Sequence, residues 1–374
     1  MRCIESRTRI TALFLAALLV SLNSFRAAFP SNSMGVALAE SRVSSVPSNV
    51  QYVTHKRPPH ANATGASPAN RSVVILIGGL RAGEPAWRTL YDHVLDPNSA
   101  DLLLMTSARS AYPNSSLYDR ARYVWHYHQF EDWADAVDLV RGTGWRTTHL
   151  PRFQEEVGRN RSILFGGLRG HDRASGVIIF MIRYFLMGAL RDAGLLDAYD
   201  RFVVTRTDHY YLCPHLFSSP TCRLGAREVI VPDGEEYDGL TDRHLIASRA
   251  TLLDALDLIA PLITEPYAFD PDRHGNSELY LKAAWADQGL RVRRCTRSML
   301  TCAAGGDDTR WQAAGAGLPG VPGLFVKYER EHAAARDGCA RFRRNSRPGY
   351  KGTCLKCSCG QKKKDRRDRP MRFQ

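Results

Sequence analysis

A buried strand that runs into a glycine turn, and is followed by a helix and a second strand, is the feature that most constrains this fold. The stretch "SVVILIGGL" at 72–80 is a continuous apolar run that ends in Gly78, Gly79 and one leucine. The stretch "PAWRTLYDHVL" at 85–95 then predicts a helix, and "DLLLMTS" at 101–107 predicts a strand. Because parallel strands need a long crossover, which a helix usually provides, this order predicts an α/β sheet with parallel strands.

The alternation of strands and helices continues along the chain. The segment 175–196 is apolar all round, but its glycines and its central Arg183 favour a helix buried against the sheet over a membrane span. Further elements are expected as strands at 201–205, 227–233 and 244–248 and as helices at 249–262 and 277–290. The predicted fold class is therefore α/β, a sheet flanked by helices.

The N-terminal segment predicts a protein of the secretory pathway. Arginines within residues 1–9 precede the apolar segment 10–25, which is short for a full membrane span and fits a signal-anchor or the core of a signal peptide. Basic residues on this side predict a cytosolic tail and a lumenal remainder, held in the membrane of the Golgi or the endoplasmic reticulum. Cleavage at the small-residue site near Ala39, which would give a secreted protein, and an organelle transit peptide are the alternatives.

The organisation after the apolar segment is a stem, a domain and a tail. Residues 26–71 are rich in Ser, Pro, Asn and Ala and predict a flexible stem. We expect a compact domain at 72–335 and a Cys-rich basic tail at 336–374. Acceptor motifs for N-glycosylation agree with a lumenal location, and they lie at Asn62, Asn70, Asn114 and Asn160.

Most of the positive charge lies in the tail. Between 341 and 374, thirteen Lys and Arg residues face Asp365 and Asp368, a net of +11 out of the formal +13 of the chain. The rest of the chain is nearly neutral, which disfavours a nucleic-acid-binding protein. A solvated tail and a tail that binds an acidic glycan or a membrane surface are both open interpretations.

The cysteines indicate an oxidising compartment. An even set of eight lies on the lumenal side, as disulfides require. Short-loop pairs are expected at Cys213/Cys222 and Cys295/Cys302. The motif "CLKCSC" at 354–359 can bind zinc, but no second pair follows at zinc-finger spacing, so disulfides are favoured there too.

Two strand ends carry residues suited to a phosphate-containing ligand. At the first, Gly78 and Gly79 allow a close backbone approach, and Arg81 offers a fork that matches phosphate oxygens. At the second, the strand 201–205 runs directly into Arg206 and Asp208. Ligands of open α/β sheets bind at the carboxyl ends of strands, so we expect both strand ends to contribute to one site.

The second strand end also suggests a metal. A divalent cation, Mn²⁺ or Mg²⁺, held by Asp208 and His209 would neutralise a diphosphate, as the Arg206 guanidinium could also do. The alternative is that Asp208 only caps a turn and that His209 is a surface residue.

Two further carboxylates are candidate catalytic residues. Asp242 precedes the strand at 244–248, and Glu278 lies in the first turn of a helix behind an Asn276/Ser277 cap. Glu278 either offsets the helix dipole or acts as a general base toward an acceptor hydroxyl. As a catalytic pair, Glu278 is the better candidate base and Asp242 is expected to orient the donor sugar or the acceptor.

The order of these stretches resembles GT-A-type glycosyltransferases of the secretory pathway. The resemblance rests on "LIGGLR", "ADLLLMT", the DxD-like "TRTDHYY", "DRHLIAS", "SELYL" and "GLRVRR" over roughly 72–335. It implies a GT-A-like (Rossmann-like) mixed sheet, type II membrane topology, a nucleotide-sugar donor and a glycan or glycoprotein acceptor. The roles it implies are nucleotide-sugar binding by Gly78, Gly79, Arg81 and Arg206, metal binding by Asp208 and His209, and catalysis by Asp242 and Glu278.

The chain departs from that family's pattern at the acidic motif. Thr207-Asp208-His209 supplies one carboxylate where DxD has two, so Arg206 and Arg81 are the alternative to a metal. His332 is positioned along the chain where such families often have a further metal ligand, although a surface histidine is the simpler interpretation.

Two other functions are compatible with the topology. A lumenal sulfotransferase would need a hydroxyl-bearing phosphosulfate loop, which the Gly-Gly-Leu-Arg turn lacks. A non-catalytic secreted or surface protein would use the Cys-rich basic tail as its interaction module.

Overall fold

The computed structural model describes residues 50–53, 71–107, 112–168, 175–234, 236–264, 268–307, 309 and 315–345. The predicted cytosolic tail, the segment 10–25, most of the stem and the motif "CLKCSC" lie outside these ranges. None of the helices that we describe has both the length and the apolar character needed to cross a membrane.

The described chain alternates strands and helices, as the sequence predicts. The strands are β1 Val50–Val53, β2 Ser72–Ile77, β3 Asp101–Ser107, β4 Tyr123–Tyr127, β5 Arg201–Arg206, β6 His209–Tyr211, β7 Glu228–Pro232, β8 His244–Ser248, β9 Arg291–Cys295, β10 Met299–Ala304, β11 Ala316–Gly317 and β12 Leu324–Val326. The α-helices are α1 Gly83–Leu90, α2 Ser116–Arg120, α3 Trp133–Arg141, α4 Trp145–Thr148, α5 Leu150–Gly158, α6 Gly176–Asp192, α7 Arg249–Leu256, α8 Ile259–Thr264, α9 Pro271–His274, α10 Ser277–Asp287 and α11 Glu329–Asn345.

The main sheet has the order β1-β4-β3-β2-β5-β8-β7-β9. Strands β4, β3, β2 and β5 are parallel, β8 runs antiparallel to both of its neighbours, and β9 is parallel to β7. The short β1 adds an antiparallel strand beside β4. This is a Rossmann-like mixed sheet flanked by helices, which confirms the predicted fold class at that level.

The central strand β2 is buried on both faces because alternate side chains enter different cores. Val73 and Ile75 pack into the core that includes α6, whereas Val74 and Leu76 pack into the core that includes Trp87 of α1. A strand buried on both sides has no polar face, which explains the unbroken apolar run at this position.

A second, four-stranded antiparallel sheet has the order β11-β12-β10-β6. Its strand β6 begins three residues after β5 ends, so the chain passes directly from the main sheet into the small one. Asp208 lies in this transition, and its carbonyl accepts a hydrogen bond from the N–H of Cys302 at 2.9 Å.

Most predicted elements have the expected bounds, and the helix expected at 249–262 is the main exception. It breaks into α7 and α8, which are separated by Asp257 and Leu258. Pro261 lies four residues after Asp257, and its ring would clash with the Asp257 carbonyl in a continuous helix. The Asp257 carboxylate instead accepts a hydrogen bond from the N–H of Ala260 at the start of α8.

The expected disulfide pairs are wrong. Cys213 is bonded to Cys339, across a sequence separation of 126, while Cys222, Cys295 and Cys302 are free and buried. Spacing along the chain did not predict the Cys213–Cys339 bond, because the segment after β6 brings Cys213 against α11. No local sequence pattern encodes that contact. Helix α11 continues past residue 335, the predicted end of the compact domain.

Cys213→Ser and Cys339→Ser should each lower the free energy of unfolding by about 2–5 kcal/mol, because each opens a long covalent loop. The double variant should cost no more than either single variant, since all three lose the same bond. Denaturant unfolding of the wild type and the three variants checks this. Additive losses would show that the two cysteines act separately.

Candidate functional site

A cavity of about 430 Å³ opens at one edge of the main sheet. It lies at the carboxyl ends of β2, β3, β4 and β5, whose last residues all line it: Ile77, Ser107, Tyr127 and Arg206. Ile178, Ile179 and Ile182 of α6 form an apolar wall. The volume is within the roughly 300–1,000 Å³ typical of small-molecule sites.

The cavity lies where the strand order reverses. From β2 the chain adds β3 and β4 on one side, and it then returns to place β5 on the other side. The helices that follow β2 and β3 pack into one core and the helices between β4 and β5 into the other, so the crossovers lie on opposite faces. This reversal leaves a crevice at the carboxyl ends of the strands, which is the usual ligand site of open α/β sheets.

The turn after β2 is fixed to the loop after β5. Gly78 has φ of +104°, a conformation that favours glycine, and its N–H donates to the Met105 carbonyl at 3.0 Å. The hydroxyl of Thr207 donates to the Gly79 carbonyl at 2.6 Å. The two strand ends predicted to share a site are therefore in direct contact, and Gly78, Gly79 and Arg81 all line the cavity.

Asp307 anchors the Arg81 turn, and sequence reasoning missed it. Its Oδ2 accepts hydrogen bonds from the N–H groups of Ala82 and Ala304, both at 2.7 Å, and the Tyr112 hydroxyl donates to its Oδ1. Ala82 has a positive φ of 67°, a backbone conformation that costs free energy for a residue with a side chain. The hydrogen bond from its N–H to Asp307 helps to hold the turn in this conformation. The sequence signal was a Gly-Gly-Asp turn after a strand, but nothing local shows which loop that aspartate holds.

Arg206 and Asp208 form a bidentate ion pair at the cavity. The Arg206 Nε lies 2.7 Å from Oδ1 of Asp208, and its Nη2 lies 2.6 Å from Oδ2. The Asp208 side chain is 2% exposed and the Arg206 side chain 24%. Burial by itself raises the pKa of Asp208, but the Arg206 guanidinium outweighs it and holds that pKa well below its usual range.

The surroundings of Asp208 do not fit a divalent cation. Both carboxylate oxygens accept hydrogen bonds from Arg206, and the buried His209 ring contacts the Thr205 hydroxyl through Nδ1 at 2.9 Å and does not line the cavity. Mg²⁺ and Mn²⁺ prefer several oxygen ligands. Within the described ranges no carboxylate cluster of three ligand atoms surrounds Asp208, so we derive no step through a metal here.

Asp242 and Glu278, the predicted catalytic carboxylates, belong to one buried charge network. Asp242 lines the cavity, whereas Glu278 does not. Arg243 connects them, with its Nε 4.0 Å from Oδ1 of Asp242 and its Nη2 3.4 Å from Oε1 of Glu278. Arg243 also lies 3.3 Å from Oε1 of Glu331, a residue that sequence reasoning overlooked beside His332.

Glu278 has an unusual environment for the first turn of a helix. The expected cap is present, since the Asn276 side chain accepts from the N–H of Leu279 at 2.7 Å. The loop before Asp242 presses on this turn so closely that a Cβ at Gly239 would lie 2.1 Å from the Glu278 carbonyl. Burial, reinforced by the Asp242 charge and opposed by Arg243, raises the pKa of Glu278 to about 7.

The remaining histidine candidates lie away from the cavity. Burial lowers the pKa of His209 to about 4, so its imidazole is neutral at physiological pH. His332 is half-buried on α11 and does not line the cavity, and burial also lowers its pKa. The structure thus brings six of the eight predicted site residues together: Gly78, Gly79, Arg81, Arg206, Asp208 and Asp242.

Comparison with known proteins assigns no family to this site. The chain matches no protein-family model, and no curated protein is significantly similar to it in sequence.

Asp307→Ala should lower the free energy of unfolding by about 1–3 kcal/mol, because it leaves two N–H donors near the cavity without their acceptor. Asp197→Ala is the matched control, since that carboxylate is 78% exposed and its loss should change stability by less than about 0.5 kcal/mol. Denaturant unfolding measures both, and equal effects would mean that Asp307 does not anchor the turn.

Glu278→Gln should change how stability depends on pH. A pKa raised from 4.5 to about 7 gives the protonated folded form extra stability below pH 4.5, and this is lost as the pH rises to about 7. The wild type should therefore lose about 2–4 kcal/mol relative to Glu278→Gln across that interval. Unfolding curves at pH 4 to 8 test this, with the exposed Glu155→Gln as control. A constant difference between variant and wild type would contradict the raised pKa.

Proposed function

We propose that this protein is a glycosyltransferase that moves a sugar from a nucleotide-sugar donor to a glycan or glycoprotein acceptor. The observation that carries the proposal is a pair of arginines, Arg81 and Arg206, on neighbouring parallel strand ends that face one cavity at the reversal of strand order. Arginine forks at such a position suit the two phosphates of a nucleoside diphosphate.

The GT-A-like form of the sheet is part of this proposal. It is supported by the place of the DxD-like stretch Thr207–His209, which directly follows a parallel strand and leads into a second sheet. It is also supported by the order of the sequence stretches that resemble that family. Lumenal location and a membrane anchor remain predictions, and the Cys213–Cys339 disulfide agrees with an oxidising compartment.

Arg81 is the better placed of the two arginines to meet the donor. Within the described part of the chain its guanidinium has no hydrogen-bond or ion-pair partner, whereas Arg206 is fixed by Asp208. In this proposal Asp208 positions Arg206 so that its outer N–H groups face the cavity. Both cations would then stabilise the charge that develops on the leaving diphosphate.

Asp242 takes the role of general base in this arrangement. The acceptor hydroxyl oxygen forms a bond to the anomeric carbon, the bond from that carbon to the phosphate oxygen breaks, and the hydroxyl proton passes to a carboxylate. Asp242 is the carboxylate of the pair that lines the cavity, so it can reach the hydroxyl. Glu278 is then a positioning residue that acts through Arg243.

A thermal-shift screen of the full chain against UDP, GDP, CMP and adenosine 3′,5′-bisphosphate, with and without Mn²⁺, tests the proposal. One nucleoside diphosphate should raise the melting temperature, because binding to the folded state alone stabilises it. Arg81→Ala should weaken that binding by about 10- to 100-fold, the value of one charge-assisted contact. Asp208→Asn should weaken it less, by releasing Arg206.

The matched control is Arg88→Ala, an exposed arginine on α1 that does not line the cavity and whose loss should leave binding unchanged. A response to adenosine 3′,5′-bisphosphate alone would favour the sulfotransferase. No response to any nucleotide would favour the non-catalytic protein, and a strict need for Mn²⁺ would contradict the metal-free arrangement of Arg206 and Asp208.

A further inference from the structure

A second cluster of reactive side chains lies apart from the residues that line the cavity. His215 follows β6, Cys222 ends a 3₁₀ helix at Pro220–Cys222, and Cys295 is the last residue of β9. One ligand atom from each of these residues lies within 4.8 Å of the other two. All three side chains are buried, with exposed fractions of 3%, 3% and 0%.

The His215 ring is held in the way that a metal-binding histidine usually is. Its Nδ1 lies 3.0 Å from the hydroxyl of Ser298, which fixes the orientation of the ring. Its Nε2 is buried and has no hydrogen-bond partner among the described residues. A buried polar nitrogen without a partner costs free energy, and this ring belongs to the same cluster as the two thiols, so a ligand that binds all three residues would offset that cost.

The two cysteines are free of disulfide bonds, so both sulfur atoms are available to a metal. Cys213 and Cys339 are bonded to each other in the same structure, but Cys222 and Cys295 are adjacent free thiols. A disulfide between Cys222 and Cys295 would satisfy the sulfur atoms and would leave the His215 Nε2 without a partner. A metal ion would satisfy all three atoms together.

We propose that His215, Cys222 and Cys295 bind a zinc ion. Thiolate and imidazole ligands select zinc over Mg²⁺ and Mn²⁺, and two thiolates balance the charge of the ion, as a buried site needs. His244 adjoins the group, with its ring centroid 5.0 Å from that of His215, and its own buried Nε2 also lacks a hydrogen-bond partner within the described ranges.

The role of the ion is to tie separate parts of the chain together. The segment that carries His215 and Cys222 has little regular structure, whereas Cys295 belongs to the edge strand β9 of the main sheet. Zinc would fix this segment to the sheet, and the free energy of binding would add to the stability of the fold.

The experiment measures metal in the purified full chain by mass spectrometry, after dialysis with trace Zn²⁺ and no chelator. We expect about one zinc per chain held by the cluster. Cys222→Ser and Cys295→Ser should each remove that zinc. Cys302→Ser is the matched control, because Cys302 is also free and buried but lies outside the cluster, and its loss should leave the zinc content unchanged.

Co²⁺ in place of zinc provides an absorption readout in the wild type, and this readout does not require any variant to fold. The wild type should show thiolate-to-cobalt absorption, and His215→Gln should alter it. Peptide mapping without reduction tests whether Cys222 and Cys295 form a disulfide instead. Any of three results would overturn the proposal: a Cys222–Cys295 disulfide, zinc that persists in both cysteine variants, or an absence of zinc and of cobalt bands in the wild type.

Discussion

The arrangement of this molecule depends on the ion pairs and the hydrogen bond of one buried carboxylate, that of Glu331. The residue is fully buried, and its Oε1 lies 3.0 Å from Arg297 and 3.3 Å from Arg243, while its Oε2 accepts from the N–H of Thr301 at 2.8 Å. Burial raises the pKa of Glu331, but the two arginines outweigh it and lower that pKa. Such a network is costly to break, because removing one member leaves a buried charge without a partner. Through these contacts α11 is joined to the entry of β8 and to the small sheet, so both sheets keep a fixed relation around the cavity.

Most polar side chains around the cavity already have hydrogen-bond or ion-pair partners within the protein. Arg206 and Asp208 bind each other, Asp307 is saturated by two N–H donors and a hydroxyl, and Asp242 shares Arg243 with Glu278. Groups held in this way need little reorganisation when a ligand arrives, which is the condition for electrostatic stabilisation of a developing charge. Among the described residues the Arg81 guanidinium has no hydrogen-bond or ion-pair partner, so we expect a charged ligand to meet it at the least cost.

Sequence reasoning succeeded where the signal was local. The strands at 101–107 and 244–248 have the expected bounds, because runs of buried aliphatic side chains specify a strand without reference to distant contacts. It failed for the small sheet, whose strands β6, β11 and β12 have three residues or fewer and carry no periodicity. It also failed for Asp307 and for the Cys213–Cys339 bond, because both join segments that are far apart in the chain.

By itself the sequence determined the α/β class, the parallel start of the sheet and the two strand ends that carry Arg81 and Arg206. These follow from hydrophobic period and from turn chemistry, which act over a few residues. Only the tertiary structure decided that Arg206 neutralises Asp208, that Asp242 lines the cavity and Glu278 does not, and that a histidine and two cysteines meet in one buried cluster. The reason is that charge pairing, burial and ligand geometry depend on distances between segments, and sequence spacing does not contain those distances.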